Sequence, residues 1–268
     1  MQNNLHWKYI LLVRASIATH IIALCAAILE PAYWVMALAT IVINHVILSA
    51  IGLWPRSSWL GLNWSRLPDS AATRNEIALT IDDGPDPIIT PQVLNILDEH
   101  GVKVTFFCIG EKAARYPELC RQIVQRGHTI ENHSQGHPLY FSLLGPKGFT
   151  REIQAAQNTL SAITEQTPVF FRAPAGLRNP FLAPVLIKLG LTLVSWSARG
   201  FDTRVNDPKK ISRRLLDDLR AGAILLLHDA NAAMTENKTP VILEVLPDLL
   251  AHIKTTPLRL VTLHQAFL

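Results

Sequence analysis

The chain predicts an α/β fold in which parallel strands form a barrel or a sheet, and two observations carry that reading. Seven short apolar runs, at 77–81, 104–109, 129–131, 169–171, 191–196, 223–227 and 258–263, alternate with helix-length segments. Five polar clusters follow such runs: Asp82-Asp83, His133 with His137, Arg172, Asp202 and His228. Parallel strands joined by crossover helices gather the residues at their C-terminal ends on one face, where such barrels do their chemistry.

The N-terminal region stands apart. Residues 9–29 and 32–54 are mostly apolar, and each is about 20 residues long, enough to cross a bilayer as a helix. Glu30-Pro31 separates them, so 1–54 predicts a helical hairpin that spans the membrane or dips into one leaflet. It is too long and too double for a cleavable signal peptide. Arg14 lies near an end and can snorkel to the interface, while His20 and His45 can face each other inside the hairpin. Residues 55–73 read as a linker. Trp54, Trp59 and Trp64 suit a membrane-interface belt, and Arg56, Arg66 and Arg74 are expected at lipid headgroups.

The catalytic unit is expected over 74–268. Thr90 as N-cap and Pro91 at the first helical position open a helix that stops before Gly101. Further helices are expected at 111–125, ending at Gly127, and at 150–164, with Ile153, Ala156, Leu160 and Ile163 at helical spacing. Three more follow at 180–188, 207–219 and 240–253, the first two closed by Gly190 and Gly222.

Composition removes some functions. The net charge of +4 is spread along the chain rather than striped, so there is no nucleic-acid footprint. Three cysteines, Cys25, Cys108 and Cys120, with no CxxC spacing, do not make a disulfide framework; they read as buried bystanders.

The clusters carry the chemistry. Adjacent carboxylates at a strand end point to opposite sides, so one of Asp82 and Asp83 can bind a metal while the other does something else. His133 and His137 lie in a segment containing Gly136 and Pro138, which must curl as a loop for both rings to meet one ion. One Asp and two His leave positions open for water and substrate, the pattern of a catalytic zinc. Arg172 can hold a carboxylate by a paired hydrogen bond. His228, at the end of an apolar run, titrates near neutral pH where a leaving amine needs a proton. The remaining histidines, His6, His100, His128, His252 and His264, show no partners in the sequence and read as bystanders.

With these residues assembled, the chain resembles the polysaccharide deacetylases of the NodB-homology type, carbohydrate esterase family 4, over about Arg74 to Leu268. Five motifs occur in order: Thr80-Ile81-Asp82-Asp83-Gly84, His133-Ser134-Gln135-Gly136-His137-Pro138, Arg172-Ala173-Pro174-Ala175-Gly176, a departing segment from Trp196 to Asp202, and Leu226-Leu227-His228-Asp229. The resemblance implies a distorted (β/α) barrel of about seven strands. It implies one divalent metal, Zn2+ or in its place Co2+ or Ni2+, on Asp83, His133 and His137. It also implies Asp82 as general base, oriented by Arg172, and His228 as general acid, tuned by Asp202. The N–H of Ala175 would help hold the oxyanion, Leu226 would line the acyl pocket, and Trp196 would belong to the substrate-binding wall. The fourth motif departs: two Asp three apart and then Trp are usual, and here Arg199, Asp202 and Thr203 stand instead. An aromatic is often found where Ala175 stands.

The expected partner is an N-acylated amino sugar, as polymer, oligosaccharide or lipid-linked glycan, handled beside membrane lipid. One alternative is a deacetylase or deformylase specific for a lipid-linked amino sugar. Another is a non-catalytic sugar-binding protein on this fold. For orientation, Lys8, Arg14, Arg56 and Arg66 flank the hairpin while its turn has no basic residue. Basic flanks favour a cytoplasmic catalytic domain on the inner membrane of a bacterium, with a periplasmic domain as the alternative.

Overall fold

The computed structural model describes residues 2–267, with side chains from residue 11 onward; His6 and Lys8 lie outside the described side chains. Two long helices, α1 (Gln2–Leu29) and α2 (Trp34–Gly52), pack as a hairpin about a turn at Pro31–Tyr33. Stretches Leu11–Leu29 and Pro31–Gly52 are long and apolar enough to cross a membrane, and they are almost wholly uncovered by protein. The His20 and His45 rings do meet, 5.1 Å apart, and Asn44 Nδ2 donates to Ser16 Oγ across the hairpin.

The rest of the chain alternates strands and helices. After α3 (Asp69–Thr73) come β1 (Glu76–Asp82), α4 (Ile89–Glu99) and β2 (Thr105–Cys108). Then follow α5 (Gly110–Arg115), α6 (Pro117–Gln125), β3 (Thr129–Asn132), α7 (Pro146–Thr164) and β4 (Phe170–Phe171). The last part is α8 (Leu182–Lys188), β5 (Thr192–Leu193), β6 (Ala198–Arg199), α9 (Pro208–Asp217), β7 (Ile224–His228), α10 (Val241–Lys254), β8 (Arg259–Leu260) and α11 (Leu263–Phe267). The sheet runs β5-β4-β3-β2-β1-β7-β6, with β8 on the start of β1, and every strand pair is parallel. The sheet curls into a partial barrel.

Strand parity sets the layers. On β1, Ile77, Leu79 and Ile81 face the helices, whereas Ala78 packs in the lumen with Phe107, Ile224 and Leu226. The period of two that sends Ala78 inward sends Thr80 and Asp82 inward as well. The same parity on β7 takes Ile224, Leu226 and His228 to the lumen. Helical apolar faces complete the outer core, such as Val93, Leu94 and Leu97 of α4. At each of the four expected stops, Gly101, Gly127, Gly190 and Gly222, φ is positive, from +67° to +82°.

Four details differ from expectation. An extra strand, β6, forms because Ala198 and Arg199 pair with Leu225 and Leu226 of β7. The helix expected at 111–125 breaks at Pro117, whose ring cannot continue the preceding turn. Thr90 is not the N-cap of α4. The helix starts at Ile89, after Ile88 at the cap position, and Asp86 ahead of it accepts at Oδ1 from the N–H groups of Ile88 and Ile89 at 2.8 Å, while Thr90 Oγ1 donates to buried Asp229. The 55–73 segment is folded on the barrel. Trp64 donates its N–H to Leu193 and accepts from Ser195, and Leu67 donates to Gly222, so residues 64–67 run from the β5 edge to the start of β7. Arg56 donates to the Ser197 carbonyl, and Arg74 pairs with Glu76 through two nitrogens. The barrel thus engages two arginines that were expected at headgroups.

Trp64 also meets Phe267 of α11 edge-on at 4.9 Å. Trp64→Ala should therefore destabilise the barrel by about 3 kcal/mol, in the range of large-to-small core changes. Urea unfolding in detergent checks this; a loss below about 0.5 kcal/mol, the scale of an inert surface change, would show the bridge to be ornamental.

Candidate active site

Three side chains converge above the lumen. Asp83 Oδ1 lies 3.3 Å from His133 Nε2 and 3.3 Å from His137 Nε2, and the three ligand atoms fall within 4.8 Å of one another. His133 Nδ1 is 2.8 Å from the Arg172 carbonyl. A carbonyl only accepts, so Nδ1 carries the proton and Nε2 presents a lone pair inward. Burial and the neighbouring His133 push His137 down to about 4, so its ring is neutral at pH 7. Burial works against a charged Asp83, but hydrogen bonding and charge from His133, with His228 and His137, hold its carboxyl well below the usual range. A carboxylate and two imidazoles whose ring nitrogens converge fit one divalent ion with open positions.

Backbone conformation makes this convergence possible. Asp83, Ser134 and His137 all have positive φ, at 74°, 65° and 50°. The turn at Asp83 lets adjacent residues of one strand end both reach the site, which parity alone would forbid. In the loop after β3, Ser134 Oγ accepts from His137 N, and Asn132 Oδ1 accepts from Ser134 N.

Asp82 is buried beside this group. Its Oδ1 accepts from Arg172 Nη1 at 2.6 Å, while Oδ2 faces His133 Nε2 at 3.8 Å. Arg172 is buried as well, and it also donates to Thr80 Oγ1 and to the Val194 and Ser195 carbonyls. Its guanidinium lies over the Phe107 ring at 4.1 Å. Burial lowers the pKa of this guanidinium and Asp82 draws it back up.

His228, ending β7, is fixed by Asp202. Asp202 Oδ2 accepts from the His228 N–H at 2.7 Å and Oδ1 from the ring Nδ1 at 2.9 Å. Burial disfavours the imidazolium, but the Asp202 charge and hydrogen bond, then Asp82 and Asp83, outweigh it, so the His228 pKa is raised.

The substrate-side residues are placed less uniformly. Ala175 is exposed at the tip of a turn with φ 54°. Trp196 is buried at the edge of a cleft of about 300 Å³, shared with Trp54, Arg56, Arg199 and Phe201. Leu226 is buried in the lumen with Phe107 and Trp196 and lines none of the described cavities. Sequence reading missed Asn231, whose Nδ2 donates to Asp83 Oδ2 at 3.1 Å. Its only signal is position, three residues past His228. Sequence reading had Asp229 only as part of the motif with His228; the carboxyl is buried, accepts from Thr90 Oγ1 and is pushed up to about 7 by burial. It missed the pairing of His264 with buried Glu131.

Comparison with known proteins agrees with this geometry. The polysaccharide deacetylase family model matches residues 69–194. A chitooligosaccharide deacetylase of a Bradyrhizobium species is 38% identical over 162 residues, 60% of this chain and 73% of that protein. A peptidoglycan-N-acetylglucosamine deacetylase of Bacillus cereus is 28% identical over 216 residues, 79% of this chain and 77% of that protein. The crystal structure of the Bc1960 peptidoglycan N-acetylglucosamine deacetylase superposes with a TM-score of 0.69 at 27% identity, covering 76% of this chain and 92% of that one. The chain belongs to the polysaccharide deacetylase family.

The Asp202 contact makes a direct prediction. Asp202→Asn removes the anion that raises His228, so the His228 pKa should fall. NMR titration of the imidazole reads this, and an unmoved pKa would show that Asp202 does not set the charge of His228.

Proposed function

We propose that the protein is a metal-dependent N-deacetylase of an N-acylated amino sugar, working at a membrane surface. The observation that carries this reading is the meeting of an Asp-His-His donor set, an Arg-held aspartate and an Asp-held histidine on one face of the barrel. The named activities of the family relatives support the same reaction class.

Asp83, His133 and His137 would hold the ion. When bound, a divalent ion, Zn2+ or by the same donors Co2+ or Ni2+, supplies electrophilic polarisation of the acyl carbonyl and of water. Asp82 keeps one oxygen on Arg172 and turns the other toward the site, where it takes the proton of the attacking water. His228 has its Nδ1 proton on Asp202, so Nε2 is the nitrogen that faces the amide. Its raised pKa favours the protonated ring, which delivers its proton to the departing amine. Ala175 at its turn offers a backbone N–H toward the developing oxyanion. Leu226 and Trp196 back the acyl side from the lumen and the cleft. Where the family usually has an aspartate, Arg199 lies over Trp196 and Phe201. This gives the groove a basic wall, which suits a substrate with an anionic group better than a neutral polymer.

The reading gives sharp kinetic expectations. Asp82→Asn and His228→Ala should each lower amine release from an N-acetylglucosamine oligomer by about 100-fold or more, with bound metal unchanged. His137→Ala should drop bound metal well below one ion per chain by elemental analysis. Activity should fall on the alkaline side as pH rises through the raised His228 pKa, because the acid loses its proton. Full metal content in His137→Ala, or near-normal rates in His228→Ala, would sink the assignment.

In this reading 1–54 is the membrane anchor and 74–268 the catalytic domain, and the basic flanks of the hairpin favour the cytoplasmic side for it. A reporter fused after Leu268 should be active as a cytoplasm-only reporter. Alkaline phosphatase activity there would reverse the orientation and favour an exported polymer as substrate.

A further inference from the structure

A cavity of about 650 Å³ lies between the hairpin and the barrel. Val13 and Ile17 of α1 and Leu48 of α2 form one wall. The opposite wall comes from the two loops that leave the active site. Leu143 follows His137 in the loop after β3, and Arg178 and Phe181 follow Ala175 in the loop after β4. The lining is chiefly apolar, and an apolar groove beside two bilayer-length helices invites a hydrocarbon occupant.

Arg178 is the exception, and it is out of balance. It is 5% exposed, and its Nε has no hydrogen-bond partner. Its Nη2 donates to the Ser57 carbonyl and its backbone N–H to Gly52. Among the described residues no carboxylate pairs with it. Burial alone acts on it, lowering its pKa to about 10, so it remains cationic at neutral pH. A buried guanidinium without an anion is costly to keep. A phosphate oxygen is the partner its planar donors fit best. A purely apolar chain would leave this charge uncompensated, and a free phosphate would leave the groove empty.

We propose that this groove holds the lipid part of the substrate, an amino sugar joined through phosphate to a long hydrocarbon chain, with the phosphate on Arg178 and the chain between the spans and the site loops. The proposal rests on the deacetylase reading and narrows its substrate. The chain enters from the bilayer, and the sugar reaches the site along the loops that carry His137 and Ala175.

The test uses the full-length, metal-loaded protein in phosphatidylcholine vesicles. Two substrates are compared: N-acetylglucosamine linked by diphosphate to a polyprenol, and a soluble N-acetylglucosamine oligomer. Arg178→Gln should lower kcat/KM for the lipid-linked substrate relative to the soluble one by about tenfold or more, mainly through KM, as expected for loss of a charge-assisted contact. Arg178→Lys should recover part of that ratio. Because Arg178 also braces Ser57 and Gly52, a second variant, Ser49→Trp, fills the groove from the hairpin and should lower the same ratio. A photoactivatable polyprenyl phosphate should label peptides holding Leu143 or Phe181. An unchanged ratio in both Arg178→Gln and Ser49→Trp overturns the proposal. So does labelling that phosphatidylglycerol competes away as well as the polyprenyl phosphate does, which marks a general anionic-lipid site. Labelling needs no turnover, so labelling with neither substrate cleaved supports the groove and defeats the deacetylase reading. Cleavage of the soluble oligomer without labelling defeats the groove alone.

Discussion

The site depends on one buried guanidinium. Arg172 donates to Asp82 at 2.6 Å, to Thr80 and to the carbonyls of Val194 and Ser195, and its guanidinium carbon lies over the Phe107 ring. Its own carbonyl accepts from His133 Nδ1, and its N–H donates to the Asn132 carbonyl. A single residue therefore orients the proposed base, fixes the tautomer of one proposed ligand and ties β1, β3 and the segment after β5 together. A charge this deep is tolerable only because its donors are engaged. Removing the Asp82 carboxylate would strand it at a cost of about 3–5 kcal/mol, the scale for breaking a buried pair. An aromatic at 107 serves this cation better than an aliphatic residue, because a ring face attracts a cation held over it.

Around that centre the backbone is held in conformations that few residues adopt freely. Asp83, Ser134, His137, Ala175 and Asn231 all have positive φ, and such conformations persist only where the surroundings over-determine them. The bracing is visible. The Asp83 carbonyl accepts from Lys112 Nζ, the Gly84 carbonyl from Ile109 N–H, and the Ser134 and Gln135 carbonyls from Gly110 and Glu111 N–H at the start of α5. The first turn of α5 has N–H groups without helical partners, and here two of them clamp the loop that brings His133 and His137 together. Rigid loops suit a site whose donors must converge within a few ångströms before anything binds.

Much of this was legible in the sequence because it follows from parity and strand ends. Long buried strands such as β1 and β7 show as unbroken apolar runs, and their last inward residues are Asp82 and His228. What was not legible depends on contacts between segments far apart. β6 has two residues, one of them Arg199, and only its pairing with β7 makes it a strand. Thr90 carries a good capping side chain, but Asp229 lies 2.5 Å from it and claims the hydroxyl, and the helix starts ahead of it at Ile89. Asn231 has no motif of its own, and its role comes from a turn that points it back at Asp83. The 55–73 segment has linker composition, yet Trp64 and Leu67 supply backbone pairs that the sheet edge lacks. Composition reports solvation, whereas pairing is decided by which edges are left open.

The same segment changes how the hairpin relates to catalysis. A Cβ on Gly52, the last residue of α2, would fall 2.2 Å from the Arg178 carbonyl. A Cβ on Gly176 would strike both Trp196 and Pro55. Glycine is required at Gly52 because the hairpin exit meets the Arg178 backbone, and at Gly176 because φ is positive and the Trp196 and Pro55 side chains close over it. Arg56 then reaches across to the Ser197 carbonyl, beside Trp196. The exit from the hairpin is therefore part of the rim of the site rather than a leash. With the hairpin in a bilayer, as proposed, the barrel sits at a fixed depth and tilt. Leu139, Tyr140, Leu143 and Phe181, all exposed on the loops around the site, are then well placed to meet the interface. A site held in that way can take an amide that the membrane itself presents, while a stiff polymer would have to thread between rim and headgroups. On the proposed reading, position would then favour short glycans on lipid carriers alongside the pocket chemistry.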